Sequence, residues 1–468
     1  MKILHVAAEC YPVAKAGGLG DVTGALPKYQ QEGGHQAAVV MPMYRTPFLY
    51  DNQFEVIHKG AFFMGGQRDY TIIKEVTDKL GFELYLVDIY NLLDRQKVYG
   101  YDDDTERFTA FQIAVVDWLN TLNNKPDVVH VHDHHAALVP FMMQYCYQYN
   151  SLSNIRTILT IHNAQYQGWM GWDKVNFIPP YDPWKRGLLD WENTINPLAS
   201  GIRCSGKVTT VSHGYLEELK HNANGLEKLF DYERGKCFGI LNGIDTEVWN
   251  PKTDAFINKK YTIPGVKAGK LANKKALCAQ FNLNESKPLI VFIGRLVGEK
   301  AADLLPQAII DSLQQTNGDV NFLILGSGSP HVEWQLENLK SSFVGYYNSI
   351  IGYNEQLSHQ MYAGADFLLM PSRVEPCGLN QMYAMKYGTI PIVRRTGGLK
   401  DTVKDFGEYE GFGICFDKAT IWDIVYSVQR ACELYKDQKR MNEIRKVNMQ
   451  IDHSWESSIQ EYINLYNS

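Results

Sequence analysis

Short apolar runs rich in Val, Ile and Leu alternate with helical patterns along the whole sequence, and that alternation leaves few folds open. In the first half residues 3–8, 37–41, 84–87, 128–131 and 157–161 read as strands, and in the second half 289–293, 322–325, 367–370 and 390–393 repeat the style. Strands separated by helices pair in parallel through right-handed crossovers, so the prediction is an α/β protein with doubly wound sheets. At 468 residues the chain is too long for one ordinary core, and two domains are expected with a ligand cleft between them. A polar stretch rich in Lys and Asn, running from Asn250-Pro251 to Lys287-Pro288, places the junction near its start. The reading is therefore one domain over 1–250 and a second over 251–450. A terminal segment, 451–468, has apolar residues at helical spacing over 455–465 and packs back on the body.

Composition narrows the function classes. A net charge of -6 gives no general attraction for nucleic acid, so an anionic ligand must be held by a few local cations. No apolar stretch approaches the roughly 18 residues that span a bilayer, and the apolar run after Lys2 is too short for a secretory segment and reads as the first strand. The eight Cys stand singly, without CxxC pairs, which suits a reducing cytoplasm and argues against a zinc site. The 28 Tyr and 9 Trp suit sugar-binding surfaces and ordinary cores equally, and decide nothing alone.

In doubly wound sheets ligands sit at the carboxyl ends of strands, and the informative residues cluster there. Lys15-Ala16-Gly17-Gly18-Leu19-Gly20-Asp21 follows the first strand and opens a helix. Glycines there let backbone approach a ligand, and helix N-terminal amides beside a lysine suit phosphate oxygens. The bland reading is a tight turn, and the spacing fits neither a dinucleotide fingerprint nor a P-loop. Gly294-Arg295-Leu296-Val297-Gly298-Glu299-Lys300 offers a guanidinium fork and a point charge suited to a diphosphate. Glu375-Pro376-Cys377-Gly378-Leu379 puts a carboxylate and free amides at a helix start, where sugar hydroxyls and phosphate can be met, although Glu375 could equally be a capping acid. Arg394-Arg395-Thr396-Gly397-Gly398-Leu399 repeats the device with two more cations. His130, His132, His134 and His135 crowd one strand end without requiring a metal, Asp102-Asp103-Asp104 reads as solvated surface, and Cys377 is a poor nucleophile candidate.

These motifs, with His130-Val131-His132-Asp133, Thr160-Ile161-His162-Asn163 and Leu241-Asn242-Gly243-Ile244-Asp245, occur in the order seen in bacterial glycogen synthases and plant starch synthases. The chain resembles that family over nearly its whole length. The resemblance implies a GT-B fold of two Rossmann-like domains, the first carrying the glucan and the second most of the nucleotide site. It implies a retaining hexosyltransferase that needs no metal or other cofactor and moves glucose from a nucleotide-glucose to an α-1,4-glucan such as glycogen. On it, His162, Arg295, Lys300 and Glu375 carry the chemistry. Lys15, Gly17, Gly18, Asp21, Asp133, Asn242, Tyr353, Cys377, Gly378 and Leu379 bind the donor, with Tyr353 stacking on the base. His162, Arg295 and Lys300 are expected to act as cations at the transition state. ADP-glucose is the expected donor, and UDP-glucose the alternative. Another GT-B transferase, a nucleotide-sugar epimerase or a silent glucan-binding protein of the same fold are the rival readings. Tyr99, Gly100, Tyr101 and Asp102 form a possible glucan-facing loop. Ala16, Ala301, Asn380 and the Ser212-His213-Gly214 segment depart from the usual family pattern.

Overall fold

The computed structural model describes residues 1–468, which divide into two compact units. The first comprises Met1–Gly243 and Trp455–Ser468, the second Ile244–Ser454. The division thus falls a few residues before Asn250, and the terminal helix belongs to the first unit.

The first unit is built on a nine-stranded sheet. From one edge its strands are Cys237–Gly239, Lys207–Thr210, Arg156–Ile161, Val128–His132, Lys2–Val6, Gln36–Pro42 and Glu83–Asp88, all parallel. Gln67–Glu75 and Phe54–Phe63 then extend it as an antiparallel hairpin. The parallel strands are apolar on both faces because helices cover both. The hairpin is largely exposed on one strand, and its polar character hides it from an apolar-run reading, although Gly65-Gly66 marks its turn with two positive-φ glycines. Strand order reverses between Val128–His132 and Lys2–Val6, so the loops leaving these two strands border the crevice where such sheets take ligands. The terminal helix Trp455–Asn467 buries Trp455, Tyr462 and Tyr466 against Ile3, Val22, Leu26, Tyr29, Val128 and Ile158. Fully buried side chains of this size contribute roughly 1.5–3 kcal/mol each, which fixes the last turns of the chain beside the central strands.

The second unit has six parallel strands in the order Tyr347–Ile351, Asn321–Gly326, Leu289–Ile293, Phe367–Met370, Ile390–Arg394 and Ile414–Phe416. Its core joins Ile290, Phe292, Phe322, Phe367, Ile390 and Ile414 with Leu305, Ile309, Leu336 and Val428 of the covering helices. Here the order reverses between Leu289–Ile293 and Phe367–Met370, the strands whose following loops carry Arg295, Lys300 and Glu375.

Candidate active site

In the first unit the loop after Lys2–Val6 is organised by Glu9. Its buried carboxylate accepts hydrogen bonds from the amides of Ala16 (2.6 Å) and Gly17 (2.8 Å) and from the Tyr99 hydroxyl (2.6 Å). The Gly17 amide is therefore engaged by the chain's own carboxylate, which corrects the expectation that it stands open for a phosphate. The glycines are still informative. Gly17 has φ -152, Gly18 has no positive φ, and a Cβ added at either would meet nothing within 4 Å. The fold itself does not demand glycine at these positions; a ligand's close approach would. Lys15 reaches Asp21 at 2.6 Å across the start of the helix Gly18–Glu32, with a third of its side chain exposed. Tyr99 stacks on His135 (centroids 4.7 Å apart), so its place in a glucan-facing loop gives way to one supporting Glu9. Asp103 pairs with Arg95, and Asp104 with the fully buried Arg107, so two acids of the Asp102-Asp103-Asp104 run are structural partners.

Asp133 takes φ +54 at the end of Val128–His132, a left-handed turn that Asp tolerates. Its Oδ1 accepts from the amides of His162 (2.7 Å) and Asn163 (3.3 Å). Burial pushes its carboxyl up to about 7. His162 is likewise buried, and the loss of solvent holds its imidazole down to about 3. At neutral pH it is uncharged, which corrects its expected role as a cation: it can work only as a hydrogen-bonding group. Its Nε2 lies 3.0 Å from His132 Nδ1, while His132 Nε2 lies 3.0 Å from His5 Nδ1. Asn242 follows the edge strand Cys237–Gly239, and its buried Oδ1 has no partner within the chain.

His5, His130 and His132 bring one nitrogen each within 4.8 Å of one another, the one imidazole cluster that suggests a metal. Every ring nitrogen is already matched. His5 Nε2 meets Gln30 Oε1 at 2.8 Å, His130 Nδ1 meets the Tyr466 hydroxyl at 2.8 Å, and His130 Nε2 meets Thr160 Oγ1 at 2.6 Å. The lone pairs are engaged with neighbours rather than converging on a centre, so this set does not fit a cation.

In the second unit Lys300 Nζ lies 2.6 Å from both carboxylate oxygens of Glu375, and Ser372 Oγ donates to the same carboxylate at 2.8 Å. The Arg373 and Val374 amides donate to Glu299 O, so the two strand-end loops are tied backbone to backbone. Arg295 is half exposed and reaches only Glu299, at 3.1 Å. Ala301 holds φ +53 and is fully buried. It is the departure from glycine noted above, a left-handed alanine that costs of the order of 1 kcal/mol. Asn380 Nδ2 donates to Ile293 O at 2.7 Å, fastening the helix Asn380–Lys386 to the end of the central strand. Cys377 and Gly378 are buried just before that helix, Leu379 caps it, and Gly378 has φ +74.

The Arg394 to Leu399 segment is scaffold. Arg394 donates to Ser372 O and Arg373 O, both at 2.6 Å, and Arg395 pairs with Glu408 and Asp417. A Cβ on Gly397 would lie 2.1 Å from Glu375 O, and one on Gly398 2.1 Å from Cys377 O. Of the expected pair of further phosphate cations, Arg394 is thus engaged in holding the Glu375 loop, and Arg395 is engaged by Glu408 and Asp417. Tyr353 is largely exposed and bonds Glu355, two strands along from Leu289–Ile293.

The starch synthase catalytic domain matches residues 2–232, and the glycosyl transferases group 1 domain matches 273–447. Glycogen synthase of Flavobacterium johnsoniae is 53% identical over all of this chain and 99% of its own length. The chain belongs to the glycogen and starch synthase family. Glycogen synthase of Streptococcus gordonii is 37% identical over 100% of both chains. Among solved structures, the catalytic domain of starch synthase IV from Arabidopsis thaliana, bound to ADP and acarbose, superposes with a TM-score of 0.91 at 32% identity, covering 100% of this chain and 98% of that one. A sucrose-phosphate synthase from Thermosynechococcus elongatus shares the fold alone, at TM-score 0.64 and 15% identity. The protein is a glycosyltransferase of the glycogen synthase type with the two α/β units of a GT-B enzyme.

Within that family frame the structure adds residues that motif reading passed over, Glu9, Gln30 and His5, and gives roles to two that it left without one, Ser372 and His132. Glu9 had a signal, an acid directly after an apolar strand end. Gln30 had none, since a glutamine in such a place is ordinary.

Proposed function

We propose that this enzyme transfers glucose from ADP-glucose to the 4-hydroxyl at the non-reducing end of an α-1,4-glucan, with retention and without a metal ion. The observation that carries the reading is Lys300 held against both oxygens of Glu375 at the switch point of the second sheet. An ammonium has three N–H groups; two face the carboxylate, and the third is left for a donor phosphate oxygen. Arg295, half exposed, supplies a guanidinium fork on the same loop. The carboxylates of these loops all face organic cations: Glu375 faces Lys300, Glu299 faces Arg295, and Asp303 faces Arg373. That arrangement supports charge neutralisation by side chains. The ADP of the starch synthase IV structure supports the choice of base.

In the proposed step the C1–O bond to the diphosphate breaks as the glucan O4 bonds to C1 on the same face. The hydroxyl proton passes to the departing phosphate oxygen, so the products are ADP and a glucan longer by one residue. Arg295 and Lys300 stabilise the charge that develops on the diphosphate. Neutral His162 contacts a hydroxyl of the transferred glucose, and Glu375 orients that sugar. Eight cysteines without a disulfide suit a reducing cytoplasm, and no helix is long and apolar enough to cross a membrane.

The test is transfer of labelled glucose to glycogen from ADP-glucose and UDP-glucose in parallel, in EDTA. Incorporation from ADP-glucose alone is expected. Preference for UDP-glucose overturns the donor assignment, loss of activity in EDTA restored by a divalent cation overturns metal independence, and no transfer from either overturns the whole reading.

A further inference from the structure

Three imidazoles and an amide form one buried line in the first unit, and a fourth imidazole stands on a branch of it. Gln30 Oε1 meets His5 Nε2 at 2.8 Å, His5 Nδ1 meets His132 Nε2 at 3.0 Å, and His132 Nδ1 meets His162 Nε2 at 3.0 Å. A branch runs from Gln30 Nε2 to the Tyr466 hydroxyl at 3.0 Å, on to His130 Nδ1, and from His130 Nε2 to Thr160 Oγ1. The participating histidines are all buried, and so are Gln30 and Tyr466. Gln30 lies on the helix Gly18–Glu32 and Tyr466 on Trp455–Asn467, both packed on the central strands. None of this row belongs to the sugar or phosphate contacts assigned above except His162 at its end.

A neutral imidazole has one N–H and one lone pair, so a chain of them has a direction. An amide oxygen only accepts. Gln30 therefore requires the proton of His5 on Nε2, which leaves His5 Nδ1 as acceptor. His132 must then donate from Nε2 and accept at Nδ1, and His162 must donate from Nε2. The glutamine is set in turn by Tyr466, toward which its NH2 group points. Burial keeps these rings uncharged, so the direction is not scrambled by protonation at neutral pH.

We propose that Gln30, His5 and His132, anchored by Tyr466, are positioning residues that lock His162 as its Nε2–H tautomer and fix its ring plane. The lock leaves His162 Nδ1, which has no partner in the chain, as an acceptor for a hydroxyl of the transferred sugar. The proposal rests on the reading that His162 acts in the transfer. It also gives the terminal helix a function: it carries the residue that orients the amide at the head of the line. A buried polar row is costly unless each member is satisfied, and here satisfaction and direction come from the same bonds.

The experiment combines 15N spectra of the histidine-labelled full-length enzyme with kinetics, the His162 signals being assigned by their loss in His162→Asn. The wild type is expected to show His162 protonated at Nε2 and bare at Nδ1; protonation at Nδ1 overturns the proposal. His132→Leu removes the acceptor and is expected to lower kcat by about 10-fold or more with donor KM within about 2-fold. His132→Asn, which restores an oxygen where Nδ1 stood, should recover most of that loss. Gln30→Met, three hydrogen bonds from His162, serves if His132→Leu fails to fold, and should shift the His162 15N pattern and lower kcat in the same direction. A wild-type pattern and wild-type kcat in either variant overturns the lock. His162→Ala separates the two layers. An inactive His162→Ala beside a fully active His132→Leu overturns the lock alone. A His162→Ala with undiminished kcat overturns the role of His162, and the purpose of the lock with it.

Discussion

Replacing Lys300 by Met removes one charge while keeping most of the side-chain length, and it should move stability and rate by separable amounts. Lys300 Nζ sits 2.6 Å from both oxygens of Glu375, with side-chain exposures of 22% and 8%. The variant leaves Glu375 a buried carboxylate with only the Ser372 hydroxyl donating to it. Breaking a fully buried pair costs about 3–5 kcal/mol, and the partial exposure of Lys300 reduces this to about 2–3 kcal/mol. For a unit the size of Ile244–Ser454 that corresponds to a fall in melting temperature of about 4–12 °C. On the role proposed for Lys300 at the leaving diphosphate, its loss should lower kcat by about 100- to 1000-fold. The double variant Lys300→Met with Glu375→Gln has no orphaned charge, so most of the melting temperature should return while kcat stays low. Scanning calorimetry reads the first quantity and labelled-glucose incorporation under saturating donor the second. A Lys300→Met enzyme within about 3-fold of wild-type kcat would refute the assignment of Lys300 to transition-state charge, and a melting temperature that stays low in the double variant would refute the orphaned-carboxylate argument.

Other perturbations follow from the same geometry. Gly18→Ala occupies open space at a helix start, so it should leave stability equal or raised by up to about 1 kcal/mol while cutting kcat/KM for the donor about 10- to 100-fold; unchanged kcat/KM refutes the close-approach reading. Glu9→Ala removes the acceptor of the Ala16 and Gly17 amides and of Tyr99, and a loosened loop should raise donor KM about 10-fold in initial-rate assays, unchanged KM counting against it. Acid should destabilise the first unit: His5 and His162 are pushed down to about 4 and about 3, and His130 and His132 well below the usual histidine range. These groups bind protons more readily unfolded, so the stability they confer is present above about pH 6.5 and lost below it, at about 1.4 kcal/mol per pH unit per group. Asp133, pushed up to about 7, has the opposite sign between about pH 4 and 7 and offsets one group. His134, pushed down to about 4, and His135, held well below the usual histidine range, add two more such groups, so the unfolding free energy from urea titrations should fall between pH 7.5 and 5 with a limiting slope of about 7 kcal/mol per pH unit, and a flat profile contradicts the neutral histidines.

The parallel strands were legible because burial on both faces makes them continuous apolar runs, and residues 289–293 and 367–370 coincide with the observed Leu289–Ile293 and Phe367–Met370. Lys207–Thr210 and Ile414–Phe416 were not legible, being too short for a pattern, and the hairpin strand Phe54–Phe63 is too polar for one. Lys300 and Glu375 were legible as strand-end residues; their direct contact across 75 positions was not. The Arg394 and Arg395 charges were visible, but sequence cannot tell a phosphate cation from a guanidinium bound to carbonyls or to nearby carboxylates. His162 was visible by motif, and its charge state was not, since burial and the His132 contact set it. Gln30 and Tyr466, 436 positions apart, meet only because the terminal helix returns to the first unit.

The most direct measurement is the stereochemistry of the bond made. A short maltooligosaccharide incubated with ADP-glucose and the full-length enzyme in EDTA, followed by proton NMR, should show new α-1,4 anomeric signals growing in step with ADP release. A β-anomeric product, a linkage other than 1,4, or free glucose in place of chain extension would contradict retaining transfer to a glucan 4-hydroxyl.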